Sequence, residues 1–239
     1  QPTYAVSYKN KPVVLSSALG VSLKDKTALV NHFEVTGTTT HAVNETWKPV
    51  LGEQAQIVNH YNELIVALVQ KDSKVKLNLV FRAFDEGVAF RYDFPKQENL
   101  NYFIISDEKT EFNLTENNKV LWIPGDFDSN EYVYNETKFS EIDNEKLNLN
   151  NGIGVKSIPG KYTVQTPLQM KSPSGLYLNI FEAAVVNYPV MHLDANVQKY
   201  TLKANLVPNA IGDKAYLQAP CVSPWRTIIV SDDARNILA

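Results

Sequence analysis

Apolar and polar residues alternate along much of this chain with the period of two that is typical of half-buried β-strands. The alternation is clearest in four segments, whose apolar positions are Tyr4, Val6 and Tyr8; Val75, Leu77, Leu79 and Phe81; Val88, Phe90, Tyr92 and Phe94; and Leu176, Leu178 and Ile180. Residues 85–87 separate two of these segments. They predict a hairpin in which Gly87 supplies a positive φ.

Helical spacing is scarce and is confined to three short segments, residues 135–141, residues 166–169 and the C-terminal tail. In the tail, Asp232 or Asp233 could cap a helix. Residues 140–154 are polar and rich in asparagine, which indicates an exposed loop. The sequence therefore predicts an all-β protein, a large antiparallel sandwich of many strands without an internal linker.

Length and composition are those of an ordinary globular protein. The chain has 239 residues, of which 44% are hydrophobic and 21% charged, enough for a large core within a single all-β domain. The first residues already have a strand-like pattern, and the last ones stop where a helix could begin. Both termini are therefore expected to be cuts through a larger protein.

Charge and motif content exclude several function classes. The net charge is −3 without a basic stripe, which argues against nucleic acid as a partner, and no apolar run is long enough for a membrane span. Cys221 is the only cysteine, so an internal disulfide is impossible, and a lone cysteine is more often a small buried apolar residue than a nucleophile. The four histidines are scattered, without the spacing of a metal site.

Residues 46–64 combine Trp47, His60, Tyr61, Asn62 and Glu63 around a Pro-Gly turn. Aromatic rings can stack on the apolar face of a sugar while amides and carboxylates bind its hydroxyls, so this segment is a candidate carbohydrate site. The alternative is that the two aromatic residues belong to the core and that the others form a solvated loop.

Two further segments carry charged and aromatic residues next to strands. Arg82 and Arg91 flank the acidic residues of the predicted hairpin, which predicts a cross-strand ion pair. Trp225 and Arg226 precede an apolar strand, and these residue types often anchor protein interfaces. An ordinary strand end is the alternative interpretation of this second pair.

Glu182 follows Ile180 and Phe181 in an apolar stretch, where a buried carboxylate needs a partner. It could be a surface residue at a strand end, the partner of a buried arginine or lysine, an oxygen ligand to a hard cation such as Ca2+, or an acid–base group. A single carboxylate does not form a glycosidase pair.

Four segments in series, WKPVLGEQAQIVNHYNEL, FRAFDEGVAFRYDFP, FEAAVVNYPVMHL and SPWRTIIVSDDARNIL, resemble the N-terminal domain of glycoside hydrolase family 97. The resemblance implies a β-super-sandwich, over residues 1–230, that precedes a catalytic (β/α)8 barrel. Residues 231–239 would begin the linker or helix toward that barrel, which this sequence lacks. It also implies a calcium-dependent α-glycosidase of Bacteroidetes type, secreted, periplasmic or outer-membrane associated, with no catalytic residue in this segment.

Within that resemblance, Glu182 matches the glutamate that the N-terminal domain contributes to a Ca2+ site, although Val190 replaces the glycine that many members have. Asn62 and Glu63 would face the substrate, an α-linked glucosyl or galactosyl oligosaccharide, and Trp225 and Arg226 would contact the barrel of the same polypeptide. We expect these 239 residues alone to be inactive. The alternatives are a stand-alone carbohydrate-binding module and a purely structural interaction domain.

Overall fold

The computed structural model describes residues 1–147 and 157–237, so part of the predicted loop at residues 140–154 lies outside the described residues. Nineteen strands occur in the described part of the chain, and their pairings are antiparallel. They are β1 Thr3–Tyr8, β2 Lys11–Ala18, β3 Val21–Leu23, β4 Phe33–Trp47, β5 Ile57–Gln70, β6 Lys76–Ala83, β7 Gly87–Phe94, β8 Tyr102–Glu108, β9 Glu111–Leu114, β10 Lys119–Trp122, β11 Asn135–Lys138, β12 Thr163–Val164, β13 Leu168–Lys171, β14 Tyr177–Ala183, β15 Met191–Asn196, β16 Thr201–Leu206, β17 Ala215–Gln218, β18 Cys221–Val222 and β19 Trp225–Ser231.

The strands form three sheets. One has six strands in the order β1-β2-β9-β16-β15-β12, and one has ten, in the order β11-β10-β13-β14-β19-β7-β6-β5-β4 with β18 also paired to β7. The third contains β17-β8-β3. The predicted all-β antiparallel sandwich is therefore confirmed.

The two large sheets pack face to face through aromatic side chains. The ring of Phe90, on β7, lies 4.6 Å from that of Tyr4 on β1 and 6.3 Å from that of Phe112 on β9, measured between centroids. The small sheet joins the same core, because Phe94 on β7 lies 4.9 Å from Phe103 on β8. Tyr4, Phe90 and Phe94 occupy apolar positions that the alternation predicted, whereas Phe103 and Phe112 lie on strands that it did not single out. Burying such side chains is the main stabilising contribution to the fold.

Two of the three predicted helical segments are wrong for most of their length. Residues 135–138 form β11, and only the short 3₁₀ turn Phe139–Glu141 follows it. The second segment overlaps the strand β13, Leu168–Lys171. In both cases, pairing in the sheet overrides weak local preferences. The tail does form a 3₁₀ helix, Ala234–Ile237, and the Asp233 carboxylate accepts the Arg235 N–H at 3.0 Å. No helix among the described residues is long and apolar enough to cross a membrane.

The hairpin of β6 and β7 is confirmed, but the expected reason for its glycine is not. Gly87 is absent from the positions with positive φ in the described chain. A Cβ at Gly87 would lie 2.2 Å from the carbonyl oxygen of Ile228 on β19. Close approach of a neighbouring strand, rather than backbone conformation, therefore requires glycine at this position.

Strands β4 and β5 form a long hairpin that extends beyond the rest of its sheet. They pair from Phe33↔Gln70 to Trp47↔Ile57, whereas β6 pairs with β5 only over residues 62–69. The distal part is thus a two-stranded ribbon, and its end exposes large apolar side chains, including Trp47 at 49% and Leu51 at 89%.

Candidate functional site

Glu182 and Arg226 lie opposite each other on neighbouring strands of the ten-stranded sheet. β14 pairs with β19 in the register Ile180↔Ile228 and Glu182↔Arg226. Because successive side chains of a strand point to opposite faces, Glu182 shares the inner face with Ile180, and Arg226 shares it with Ile228. The period of two therefore directs both charged residues toward the core.

Arg226 is fully buried, with a side-chain exposure of 0%, and it binds two carboxylates. Its Nε and Nη2 donate to Oε1 and Oε2 of Glu108 at 2.9 and 2.7 Å, the bidentate geometry that favours a strong ion pair. Its Nη1 donates to Oε2 of Glu182 at 2.5 Å. One guanidinium thus joins the ten-stranded sheet to Glu108, at the end of β8 in the small sheet.

Glu108 has an exposure of 0% as well, and hydroxyl groups complete its shell. Tyr188 donates to Oε2 at 2.9 Å and Thr110 donates to Oε1 at 2.7 Å. The Thr110 oxygen lies 2.8 Å from the hydroxyl of Tyr92, which in turn accepts the backbone N–H of Gly20 at 2.9 Å. We call Arg226, Glu108, Glu182, Tyr188, Thr110 and Tyr92 the Arg226 network.

The two carboxylates of the Arg226 network have different electrostatic environments. Burial alone would raise the pKa of Glu108, but the charge of Arg226 and the hydrogen bonds outweigh it, so its pKa is lowered. Burial raises the pKa of Glu182, opposed only in part by Arg226 and by the Met191 N–H, which donates to Oε1 at 2.9 Å. Glu108 is therefore the structural partner of Arg226, and Glu182 is the less compensated carboxylate.

Glu182 lies at the outer end of the Arg226 network, with a side-chain exposure of 8%. Of the alternatives that the sequence left open, pairing with a buried arginine is therefore realised, and the surface interpretation is wrong. The described residues contain no group of three or more histidine, cysteine, aspartate or glutamate side chains placed to hold a metal ion. Glu182 could thus contribute one metal ligand here, but these residues form no complete site.

The expectation that Arg226 contacts a neighbouring domain is corrected, because its buried guanidinium belongs to the Arg226 network. Trp225, the residue before Arg226 and the first of β19, points to the opposite, outer face of the sheet. The Arg82 and Arg91 guanidinium carbons lie 4.5 and 4.3 Å from its ring centroid. Burial, followed by the nearby charge of Arg82, lowers the pKa of Arg91, whose Nε has no hydrogen-bond partner among the described residues.

Asn62 and Glu63 lie on β5 and both line a cavity of about 530 Å³ near the base of the long hairpin. Asn62 is exposed, whereas Glu63 accepts a hydrogen bond from Nε of Arg82 at 2.8 Å. Arg82 therefore pairs across to β5 rather than with the acidic residues of its own turn, and it links Glu63 to Trp225. The structure thus brings one predicted substrate residue next to one predicted interface residue.

The aromatic residues of the same segment separate. Tyr61 is in the core, where its ring lies 5.2 Å from that of Phe84, while Trp47 is half exposed at the far end of the hairpin. They do not form a common stacking surface. The interpretation of this segment as core plus loop is therefore correct for Tyr61 and wrong for Trp47.

Sequence reasoning missed Glu108, the principal partner of Arg226. Alternation from Phe103 and Ile105 would place Asp107 on the inner face. However, β8 pairs with β3 in the register Leu23↔Ile105 and Ser22↔Asp107, so β8 has one extra residue between these two pairs. A bulge of this kind reverses the facing of the residues that follow it, so Glu108 turns inward. No signal in the sequence marks the bulge.

Comparison with known proteins was consistent with this fold. The family model described as Glycosyl-hydrolase 97 N-terminal matches residues 1–239. A retaining alpha-galactosidase of Bacteroides thetaiotaomicron is 22% identical over 206 residues, which cover 81% of this chain and 27% of that protein.

Among solved structures, a glycoside hydrolase family 97 enzyme from Pseudoalteromonas sp. strain K8, in complex with acarbose, aligns with a TM-score of 0.84 and 31% identity, over 99% of this chain and 33% of that one. A beta-arabinopyranosidase aligns with a TM-score of 0.79 at 21% identity, over 97% of this chain and 37% of that one, which shows the fold alone. The chain therefore spans roughly a third of the length of these relatives.

Proposed function

Since the chain belongs to the family of glycosyl-hydrolase 97 N-terminal domains, we propose that it is the non-catalytic N-terminal part of a calcium-dependent α-glycosidase. It would cover the active site of a catalytic barrel in the same polypeptide and supply one Ca2+ ligand. The substrate would be a terminal α-glucosyl or α-galactosyl linkage. The observation that carries the proposal is the position of Glu182 at the partly exposed end of a buried network.

The Arg226 network supports a non-catalytic role for this part of the protein. Glycosidases need two carboxyl groups that flank the scissile bond. Glu108 is fully buried, and Arg226 separates it from Glu182, so these two carboxylates cannot both reach a sugar. We therefore expect the catalytic pair elsewhere in the protein.

Electrostatics support Glu182 as a ligand to a cation. The two carboxylates share the single positive charge of the Arg226 guanidinium, which leaves one negative charge uncompensated. Glu108 forms two of the three hydrogen bonds to this guanidinium, so the uncompensated charge lies mainly on Glu182. Each oxygen of Glu182 accepts one hydrogen bond and keeps a second lone pair. Ca2+ takes about six to eight oxygens, so the other ligands would come from the barrel. A Ca2+ ion bound to Glu182 would neutralise the uncompensated negative charge and would join this domain to the barrel.

Two surfaces support contact with a further domain. Trp225 lies between two arginines on the outer face of the ten-stranded sheet, and the end of the β4–β5 hairpin exposes apolar side chains that are unfavourable to leave in water. If Trp225 anchors the barrel, Trp225→Ala should cost at least about 2 kcal/mol more in a longer protein that contains the barrel than in the 239-residue chain. A difference below about 0.5 kcal/mol would remove Trp225 from the interface.

The calcium proposal is tested in the longer protein with Glu182→Gln, which keeps the shape and removes the charge. Ca2+ affinity should fall by about tenfold or more, corresponding to one charge-assisted contact, and activity should fall with it and partly recover when Ca2+ is added. Glu63→Gln, at a carboxylate that is also paired with an arginine, is the matched control and should leave Ca2+ affinity unchanged. Unchanged Ca2+ affinity in Glu182→Gln, with the fold intact by circular dichroism, would contradict the calcium role.

Catalysis is tested on the 239-residue chain itself, which should not hydrolyse aryl α-glucosides or α-galactosides. Turnover by a preparation free of host enzymes would show that the active site is in this chain. We also propose, from the family alone, a secreted, periplasmic or outer-membrane-associated location, which cell fractionation with an antibody against the chain can test.

A further inference from the structure

Strand β4 forms a long free edge of the ten-stranded sheet. It is the last strand of that sheet and pairs with β5 on one side, and no strand of the described chain pairs with its other side. It has 15 residues, whereas the other strands at the ends of the sheets, β1, β3, β11, β12 and β17, have between two and six. Since short edge strands are one way in which proteins prevent unwanted pairing, β4 differs from these other edges.

The sequence of β4 also lacks the side chains that usually prevent pairing at an edge. It contains no lysine, arginine or proline, and its two carboxylates, Glu34 and Glu45, lie near its ends. Between them, four threonines favour an extended backbone, and all but two residues of the strand are exposed. The one irregularity in its pairing with β5 lies between Val35 and Gly37, also near one end. The unpaired N–H and C=O groups along the rest of this edge are therefore open to a further strand.

A second copy of β4 fits this edge in charge and in register. Thr40 is the central residue of β4, so antiparallel pairing of two copies about a twofold axis at Thr40 aligns the whole strand. In this register Glu34 of one copy lies opposite Thr46 of the other. Glu45 lies opposite Val35. No two like charges face each other, whereas parallel pairing in register would place each glutamate opposite its own counterpart.

The length of β4 is sufficient for a weak but specific interface. Fifteen residues at about 3.4 Å per residue give an edge about 50 Å long, and a sheet is about 10 Å thick. Pairing would therefore bury about 500 Å² of each copy and about 1,000 Å² in total, near the lower limit for a specific interface.

We propose that two copies of this chain associate by antiparallel pairing of their β4 strands, which joins the two ten-stranded sheets into one continuous sheet. The contact depends on backbone groups of β4, and it requires neither a bound Ca2+ ion, a sugar nor a neighbouring domain. It therefore goes beyond the proposed function, and either can fail without the other.

The first test is sedimentation equilibrium of the 239-residue chain, which should show a dimer with a Kd of about 1–100 μM. Thr40→Lys places two positive charges opposite each other and should raise the Kd about fivefold or more. Thr27→Lys, at an exposed threonine outside the strands, is the matched control and should leave the Kd unchanged. An equimolar mixture of Thr40→Lys and Thr40→Glu should associate at least as tightly as the unaltered chain, because opposite charges then face each other.

The second test determines the register with single cysteines in a Cys221→Ser background. Thr40→Cys should form a disulfide between two copies, because its Cα atoms would lie about 4.5–5.5 Å apart, within the range of a disulfide. Thr38→Cys alone should not, because its two cysteines would be offset by four residues along the strands. A mixture of Thr38→Cys and Ala42→Cys should form one, since these positions lie opposite each other in the proposed register.

A chain that stays monomeric up to about 500 μM would overturn the proposal and leave the edge of β4 to a different partner, such as another domain of a longer protein. An unchanged Kd in Thr40→Lys, with the fold intact by circular dichroism, would overturn it as well. So would disulfide formation in Thr38→Cys alone that is as rapid as in Thr40→Cys. The lysine comparison needs no change at Cys221, so it decides the question if the Cys221→Ser background does not fold.

Discussion

Replacing Arg226 by methionine is the sharpest test of the Arg226 network. Arg226→Met keeps an unbranched apolar side chain in the same space but removes three hydrogen bonds to two carboxylates. Glu108 then remains fully buried with only the hydroxyls of Tyr188 and Thr110. We expect the folded state to be much less stable, because an ionised carboxylate is held in the core without its cation.

The magnitude follows from those contacts. Hydrogen bonds to charged groups contribute roughly 1.5–3 kcal/mol each, so the three bonds set an upper limit of about 5–9 kcal/mol. Burying the methionine returns about 2 kcal/mol, which leaves a loss near the roughly 3–5 kcal/mol typical of breaking a buried ion pair. Since whole domains are stable by about 5–15 kcal/mol, the variant should remain measurable but marginal.

The assay is urea denaturation of the 239-residue chain at pH 7, monitored by circular dichroism, with Arg82→Met as the matched control. Arg82 is also paired with a glutamate, but that pair is partly exposed and should contribute about 1 kcal/mol or less. Adding Glu108→Gln to Arg226→Met should recover at least about 1.5 kcal/mol, because it removes the uncompensated charge.

The pH dependence provides an independent check. In the unaltered chain the pKa of Glu108 is below its ordinary value of 4.5, so its stabilising contribution is present above pH 4.5 and is lost as the pH falls through the folded-state pKa. Without Arg226, burial raises that pKa, and the variant loses stability as the pH rises through it. The difference between the two proteins should therefore shrink from pH 7 toward pH 5. A loss below about 1 kcal/mol at pH 7, or an equal loss at both pH values, would refute this account.

Three further changes test other parts of the structure. Gly87→Ala should lower the free energy of unfolding, measured by urea denaturation, by at least about 1–3 kcal/mol, because the added Cβ would lie 2.2 Å from the carbonyl oxygen of Ile228. Gly37→Ala, whose Cβ would have no atom within 4 Å, should change it by no more than about 0.5 kcal/mol, and equal effects would contradict the packing explanation. Tyr188→Phe should cost about 1.5–3 kcal/mol by removing one donor to the buried carboxylate, and no change would exclude that bond. Burial raises the pKa of the Cys221 thiol to about 11, so iodoacetamide at pH 8 should alkylate it roughly a hundredfold more slowly than a free cysteine, and a normal rate would show that its thiolate is not disfavoured.

Alternation along the chain was sufficient to predict that the protein is all-β, and it indicates which face of a regular strand each residue occupies. Continuing the alternation of Leu178 and Ile180 by two residues leads to Glu182, and counting back by two from Val230 and Ile228 leads to Arg226. Either pattern could have shown that a charged residue points into the core. Both are local properties of a strand, because successive side chains alternate whatever the strand pairs with.

What those side chains contact depends on how the strands pair and pack. The extra residue in β8 turned Glu108 inward, pairing in the ten-stranded sheet set Glu182 opposite Arg226, and Arg82 on β6 was paired with Glu63 rather than with its own turn. The need for glycine at position 87 likewise comes from a strand distant in sequence. Period and propensity describe one strand at a time, whereas register, bulges and contacts between sheets are set by the packing of all the strands together.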